Sequence, residues 1–142
     1  MTVLKPYKGY TFSREIHGQV IPQSVQNLVI RNACQNRGFE YKLSSTEYGI
    51  PNCYLNYNQM IIDLGLNKFN GIAFYSLAQL PKKKSGREKL YKIVKKKNKK
   101  ILFSLENILI KNSNDTKKIE DLFKIKILLK YCPKKIKKND II

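Results

Sequence analysis

The stretch that most constrains the fold of this chain is residues 70–77, NGIAFYSL. It is a continuous apolar run of strand length, whereas a strand with one solvent-exposed face would alternate apolar and polar residues. Such runs are typical of a strand that helices cover on both sides of a parallel sheet. The sequence therefore predicts that residues 70–77 form a central strand of an α/β fold.

Further strands and helices alternate along the chain around this run. Residues 7–13, 39–43 and 99–105 are rich in aromatic and other β-favouring side chains and are predicted strands, and residues 107–112 add a short one. Residues 44–51 contain Ser, Gly and Pro and are predicted to form a loop. This alternation implies right-handed crossovers and a three-layer αβα fold with a mostly parallel central sheet of four to five strands.

Apolar residues that recur at helical spacing predict the helices between these strands. The expected bounds are Pro22 to Gly38, residues 53–64, a third helix opened by a Ser85–Glu88 capping box, and a last helix from Asn114 or Asp115 to Pro133. The expected buried positions are Val25, Leu28, Val29 and Ala33, then Tyr57, Met60, Ile61 and Leu64, then Leu90, Tyr91 and Val94, then Ile119, Leu122, Phe123, Ile127 and Leu128.

The length of 142 residues suits one domain, expected over residues 1–132, with a frayed basic tail at 133–142. The first residues lack the apolar segment of a signal peptide, and no apolar run approaches the roughly 18 residues that span a bilayer. These features predict a cytoplasmic protein with free thiols.

The net charge of +18 is concentrated in the second half of the chain. Such a field attracts polyanions, including nucleic acid, anionic lipid and phosphorylated sugar carriers. Of the 28 cations, only Arg14, Arg31, Arg37 and Arg87 carry the guanidinium fork that specific phosphate recognition favours. The lysine excess is explained either by such a partner or by an A+T-rich genome that also enriches Asn and Ile.

Cofactors and metals have no positive support in the sequence. The three cysteines form no CxxC pair, and His17 is the single histidine, so no zinc site is expected. Neither a GxxxxGK[ST] loop nor a GxGxxG fingerprint occurs, so neither ATP nor NAD is expected.

In a parallel α/β sheet, ligands bind at the edge where the carboxyl ends of the strands meet, which we call the carboxyl edge. Ser13 and Arg14 follow the first strand and are candidates for a nucleophile and an anion clamp, or for a turn cap and a solvated cation. Amide side chains lie before and within the start of the first helix, where they either bind an anionic or hydroxylated ligand or cap the helix. These are Gln19, Gln23, Gln26 and Asn27.

Two carboxylates, Glu47 and Glu106, follow predicted strands and are expected at the same edge. A carboxylate pair is the usual machinery for acid–base chemistry on sugars, and the alternative is ion pairing with Arg14 and Arg31. Tyrosines 48, 54 and 75 either stack on a sugar or belong to the core. The remaining candidate ligand contacts are Arg31, Tyr48, Ser76 and Asn107.

The strand with Gly9, Tyr10 and Ser13, followed by Gln23-Ser24-Val25, resembles the catalytic domain of serine recombinases of the resolvase and invertase type. The resemblance implies a resolvase-like fold. Recombinases continue their central strand with L-D-R-L-x-R, where residues 77–82 here read LAQLPK. Because the Asp and both Arg are missing, strand exchange on DNA is not expected.

A second resemblance covers nearly the whole chain. The strings G-Y-x-x-S-R, I-P-Q-x-V-Q-N-L-V-I-R, L-S-x-T-E-Y, F-Y-S-L-x-x-L-P and S-L-E-N resemble the sporadic carbohydrate cluster family. This resemblance implies an accessory role in bacterial surface-polysaccharide biosynthesis, with a sugar or phosphorylated sugar carrier as ligand and catalysis left open. The alternative functions are a degenerate recombinase domain that binds DNA and a scaffold for pathway enzymes. Two further partners are left open: a second copy of the chain, bound through the last helix, and a membrane surface.

Overall fold

The computed structural model describes residues 6–16, 18–47 and 53–130, apart from the side chains of Leu43, Ser113 and residues 126–130. The strands are β1 (Tyr7–Phe12), β2 (Glu15–Ile16), β3 (Gln19–Val20), β4 (Tyr41–Glu47), β5 (Gly71–Phe74), β6 (Lys100–Phe103) and β7 (Ile108–Ile110). The helices are α1 (Gln23–Asn36), α2 (Leu55–Gly65), α3 (Lys84–Lys97) and α4 (Ser113–Lys130).

The central sheet has the order β4-β1-β5-β6-β7, and every neighbouring pair is parallel except β6 with β7. As the apolar run predicts, β5 lies at the centre and all four of its residues are buried. The strand is shorter than the predicted residues 70–77, because Leu77 begins a 3₁₀ turn that Ser76 caps. The chain steps one way from β1 to β4 and the other way from β4 to β5 and on to β6. Right-handed crossovers therefore place α1 on one face and α2 with α3 on the other, which confirms the predicted α/β layers.

The second strand is longer than the sequence predicts. It was expected at residues 39–43 with a loop from residue 44, yet β4 continues to Glu47. Residues 44–47 pair in parallel with residues 9–12 of β1, and the hydroxyls of Thr11 and Thr46 lie 3.1 Å apart. The Ser side chains that suggested a loop are accommodated because β4 is an edge strand.

The buried face of α1 also differs from the prediction. Val25 and Leu28 are 42% and 67% exposed, and the buried residues are Gln26, Ile30 and Cys34. The apolar pattern alone misplaced this face because Gln26 is held against the sheet by hydrogen bonds that a hydropathy pattern does not count. By contrast, the predicted face of α2 is confirmed at all four of its positions.

The capping box predicted for α3 is wrong. The helix begins at Lys84, one residue before Ser85, and its N-terminus has no side-chain cap. An S-x-x-Q capping box forms instead at Ser76 and Gln79, around the short 3₁₀ turn Leu77–Gln79 that follows β5. The buried Arg87 side chain donates hydrogen bonds to the carbonyl oxygens of Pro81 and Lys82 in the loop before α3.

The cap predicted for α4 is displaced as well. The helix begins at Ser113, and the Asn112 side-chain oxygen accepts the Asp115 N–H at 3.1 Å. Asp115 in turn accepts the Lys111 N–H at 3.0 Å, so its carboxylate supports the turn before the helix. Ile119 is buried as predicted, whereas the expected end at Pro133 and the basic tail lie outside the described residues.

The core contains acidic groups that burial keeps neutral. Burial raises the pKa of the Cys34 thiol from 9.0 to about 11 and that of Tyr7 from 10.0 to about 12. It also raises the pKa values of Tyr10, Tyr57 and Tyr91 well above the ordinary value of 10.0. Because the ionised forms are more accessible in the unfolded chain, unfolding at alkaline pH releases protons.

We therefore expect the contribution of these two groups to the free energy of unfolding to be fully present below pH 9.0 and to be lost as the pH rises towards about 11 for Cys34 and about 12 for Tyr7. Urea titrations followed by circular dichroism across this range measure the loss. Tyrosinate absorbance from the buried tyrosines should appear together with unfolding. Its appearance in a chain that keeps its native circular dichroism would contradict the assignment.

Candidate functional site

The residues that follow four neighbouring strands lie at the carboxyl edge of the sheet. In sheet order, β4 ends at Glu47, β1 at Phe12, β5 at Phe74 and β6 at Phe103. The segments after these strands hold most of the residues singled out from the sequence. Their hydrogen bonds decide which side chains remain available for a ligand.

Gln26 is fully buried and joins β1 to the turn after β5. Its amide nitrogen donates to the carbonyl oxygens of Phe12 and Ile21 at 2.8 and 2.9 Å, and its oxygen accepts from the Phe12 N–H at 3.3 Å. The same oxygen accepts from the Gln79 amide at 3.0 Å, and the Gln79 oxygen accepts the Tyr75 N–H at 2.8 Å. This buried Gln26–Gln79 pair satisfies main-chain groups at two strand ends, so neither amide is free to bind a ligand.

Glu47 is buried and anchors the start of α2. One carboxylate oxygen accepts from the Tyr10 hydroxyl and the Tyr57 N–H, each at 2.9 Å. The other accepts the Asn56 N–H at 3.0 Å and lies 3.6 Å from the Cys53 sulfur. A carboxylate at a helix N-terminus is favoured by the unpaired N–H groups there. Glu47 therefore has a structural explanation and does not pair with Arg14.

Glu106 is half-buried and stabilises the turn after β5. Its carboxylate accepts from the Ser76 hydroxyl at 2.8 Å and from the Leu77 N–H at 3.1 Å. The two predicted carboxylates thus lie after β4 and after β6, separated in the sheet by β1 and β5, and each binds its own turn. This arrangement gives no support to their acting as an acid–base pair.

The other predicted ligand contacts are largely engaged within the protein. The Asn27 side-chain oxygen accepts from the hydroxyls of Tyr41 and Ser44 at 3.0 and 2.5 Å. The exposed Arg31 lies over the Tyr41 ring at 5.8 Å. Asn107 adopts a left-handed φ of 57° and accepts from Arg37 at 3.2 Å through its side chain. Tyr48 lies outside the described residues.

Ser13 and Arg14 leave β1 in an accessible turn. Ser13 is exposed, and within the described ranges no side chain hydrogen-bonds to its hydroxyl, so no base that would activate it is seen there. The Arg14 guanidinium lies 4.6 Å from the Phe12 ring centroid and 4.8 Å from that of Tyr54. Gln19 and Gln23 are exposed beyond this turn, in β3 and at the first residue of α1.

A cavity of about 480 Å³ opens between α2 and the start of α3. Tyr54 and Asn58 line one side, and Lys82, Lys83 and Lys89 line the other. None of these lysines belongs to an ion pair among the described residues. Tyr54, which the Arg14 guanidinium contacts, is the lining residue that lies next to the Ser13–Arg14 turn.

Arg87 shapes the wall of this cavity from inside. It is buried, and one guanidinium nitrogen donates to the carbonyl oxygens of Pro81 and Lys82 at 3.0 and 2.8 Å. The rest of the fork binds Glu120 of α4, with the shortest contact at 2.9 Å. These bonds fix the loop that carries Lys82 and Lys83 at the mouth of the cavity.

The sequence alone does not identify most of the residues that line the cavity. Tyr54 is among the predicted sugar-stacking tyrosines, and Lys82 ends the stretch that departs from the recombinase motif. Asn58, Lys83 and Lys89 belong to no motif. The one available signal was the lysine run at residues 82–84 directly before a predicted helix, where cations and unpaired N–H groups together favour an anion.

The described residues form an α/β fold with a mostly parallel, mixed five-stranded sheet and four helices. Its arrangement matches the N-terminal catalytic domain of TP901-1 integrase, a serine recombinase, with a TM-score of 0.54 and 18% identity over 87% of this chain and 97% of that one. The fold is therefore resolvase-like, as the sequence predicts. No protein-family model and no curated protein sequence matches the chain.

The residues that the structure describes contain no cluster of three or more His, Cys, Asp or Glu side chains arranged to hold a metal ion. None of their helices combines the length and apolar character needed to cross a membrane.

Proposed function

We propose that this protein binds a phosphorylated sugar, as an accessory protein of bacterial surface-carbohydrate biosynthesis. The observation that carries the proposal is the cavity between α2 and α3, which is lined by Tyr54 and by three lysines that form no ion pair with any described residue. An aromatic face suits a sugar ring, and lysines suit the phosphate that a sugar donor or carrier bears.

The dimensions and chemistry of the cavity support a ligand of this size. Its volume of about 480 Å³ lies in the range of pockets that hold small molecules and cofactors. The ammonium groups of Lys82, Lys83 and Lys89 offer donors at its mouth, and Asn58 offers an amide for sugar hydroxyls. The sugar itself is suggested by the resemblance to the sporadic carbohydrate cluster family.

The side chains at the carboxyl edge favour ligand binding without catalysis. Glu47 and Glu106 are committed to main-chain N–H groups, and Ser13 has no activating partner among the described residues. Acid–base or nucleophilic catalysis would need a free group of suitable geometry. Ligand recognition needs only the cavity and its cations.

DNA binding is the competing function, and the likeness to an integrase catalytic domain favours it. Against it, Gln79 stands within the segment where recombinases carry L-D-R-L-x-R, and its side chain is buried in the bond to Gln26. A scaffolding role with a homodimer through α4 remains a prediction; Ile125 of that helix is 51% exposed.

Calorimetric titration with UDP-glucose, glucose 1-phosphate and glucose tests the ligand proposal. We expect both phosphorylated probes to bind and glucose alone not to bind, because the lysines contribute mainly to the phosphate contact. The Lys83→Gln/Lys89→Gln variant should bind the phosphorylated probes at least about 10-fold more weakly, the loss expected when hydrogen bonds to a charged group are removed.

The matched control is Lys42→Gln/Lys111→Gln, which removes the same charge from exposed positions outside the cavity. Its affinity should stay within about 2-fold of the wild-type value, because exposed charges farther than the Debye length of roughly 10 Å are screened. An equal loss in both variants, or no binding of either phosphorylated probe, would refute the site. Duplex DNA binding that excess UDP-glucose does not reduce would favour the competing function.

A further inference from the structure

The exposed side of α3 carries a dense row of lysines. The helix KSGREKLYKIVKKK contains six lysines, one arginine and one glutamate. Its buried face is formed by Arg87, Leu90 and Val94. Lys89, Lys92 and Lys96 recur at spacings of three and four on the opposite side, and Lys95 lies beside them; all four are exposed.

The lysines of α3 have no acidic partner within ion-pair distance in the part of the chain that the structure describes. The ion pairs among the described residues are Lys68–Asp63, Arg87–Glu120 and Lys118–Asp115, and none includes a lysine of α3. Glu120, which α4 directs towards α3, is occupied by the buried Arg87. The row therefore faces solvent with its full positive charge, apart from the single Glu88 on the same helix.

The row of lysines is better suited to a surface with distributed negative charge than to the recognition of one specific anion. Lysine is a flexible point charge, and no arginine fork stands on the outer side of α3 to grip a single phosphate. The aromatic residue of this helix is Tyr91, which is half-buried with its hydroxyl buried, so α3 presents no fully exposed ring to stack on unpaired bases. A helix of 14 residues is about 21 Å long, so the row can lie along an extended surface. Lys92 and Lys95 also border a cavity of about 270 Å³ beside Asn112 and Thr116.

The geometry points to α3 as a docking surface for an anionic lipid bilayer, an assignment that goes beyond the binding of a phosphorylated sugar and does not depend on it. Each lysine close to such a surface contributes about 1 kcal/mol of attraction, and clusters of four or more are sufficient for peripheral binding. Since no described helix can span a membrane, the contact is a surface contact made by the lysine side chains.

Cosedimentation with vesicles tests this surface with the full chain. One set of vesicles is phosphatidylcholine alone, and the other contains phosphatidylglycerol as the anionic lipid. We expect binding only to the second set, with release as the salt concentration rises. The Lys92→Gln/Lys95→Gln/Lys96→Gln variant should partition roughly 100-fold less to these vesicles, from the loss of three lysines at about 1 kcal/mol each.

The control variant Lys42→Gln/Lys68→Gln/Lys111→Gln has the same net charge but retains α3, and it should partition within about 3-fold of the wild-type chain. Because exposed lysines contribute little to stability, both variants should keep the wild-type melting temperature. An equal loss of partitioning in both variants would overturn the assignment by showing that total charge suffices. Wild-type binding to duplex DNA but not to anionic vesicles would overturn it in favour of nucleic acid. The sugar-binding experiment uses substitutions at Lys83 and Lys89, so a negative result with vesicles leaves that experiment unaffected.

Discussion

Replacing Gln26 with leucine should lower the free energy of unfolding by about 4 kcal/mol, because four buried or partly buried polar groups would each lose a partner at roughly 1 kcal/mol. Those groups are the N–H and carbonyl of Phe12, the carbonyl of Ile21 and the amide of Gln79. Leucine has a similar volume, so the loss reflects unpaired polar groups and not a cavity. Urea unfolding measures it, with an expected fall in melting temperature of about 10 °C or more.

The matched control is Gln23→Leu, one helical turn earlier on α1, where the side chain is exposed and the expected change is within about 0.5 kcal/mol. If Gln26→Leu does not fold, Gln79→Leu provides a second test, since it unpairs the N–H groups of Tyr75 and Ser76 and one Gln26 lone pair. In the double variant the two losses should not add, because both residues belong to one hydrogen-bonded pair. Additive losses, or a Gln26→Leu chain as stable as the wild type, would contradict the pairing.

Replacing Glu47 with glutamine should lower the free energy of unfolding by about 3 kcal/mol. The carboxylate accepts from a hydroxyl and two helix N–H groups, and a glutamine presents an NH₂ group towards at least one of these donors. The variant also loses the favourable interaction of the charge with the N-terminus of α2. Chemical denaturation followed by circular dichroism measures the change.

Glu106→Gln is the companion variant, because this carboxylate accepts two hydrogen bonds and is only half-buried. Its expected loss is about 1 kcal/mol. If Glu47 were instead a catalytic group with little structural role, the two variants would have similar stability. Equal losses, or a more stable Glu47→Gln chain, would therefore restore the acid–base hypothesis that the geometry disfavours.

The candidate site divides into residues whose role could be read from the sequence and residues whose role could not. The position of the carboxyl edge followed from strand order, and the exposure of Ser13 followed from its place after β1. Gln26, Glu47, Ser76 and Glu106 have the residue types of a polar site, yet their hydrogen bonds go to main chain and neighbouring side chains. Residue type cannot distinguish a ligand contact from a buried partner of the backbone, because burial depends on which strands become neighbours.

The sequence by itself determined the central strand, the alternation of strands with helices and the buried face of α2, because each depends on hydrophobic periodicity within one short segment. Only the tertiary structure decided the length of β4, the rotation of α1 and the cavity between α2 and α3. The last joins Tyr54 to Lys83 and Lys89, which are far apart in the chain. These features arise from hydrogen bonds and contacts between distant segments, which local hydropathy does not encode.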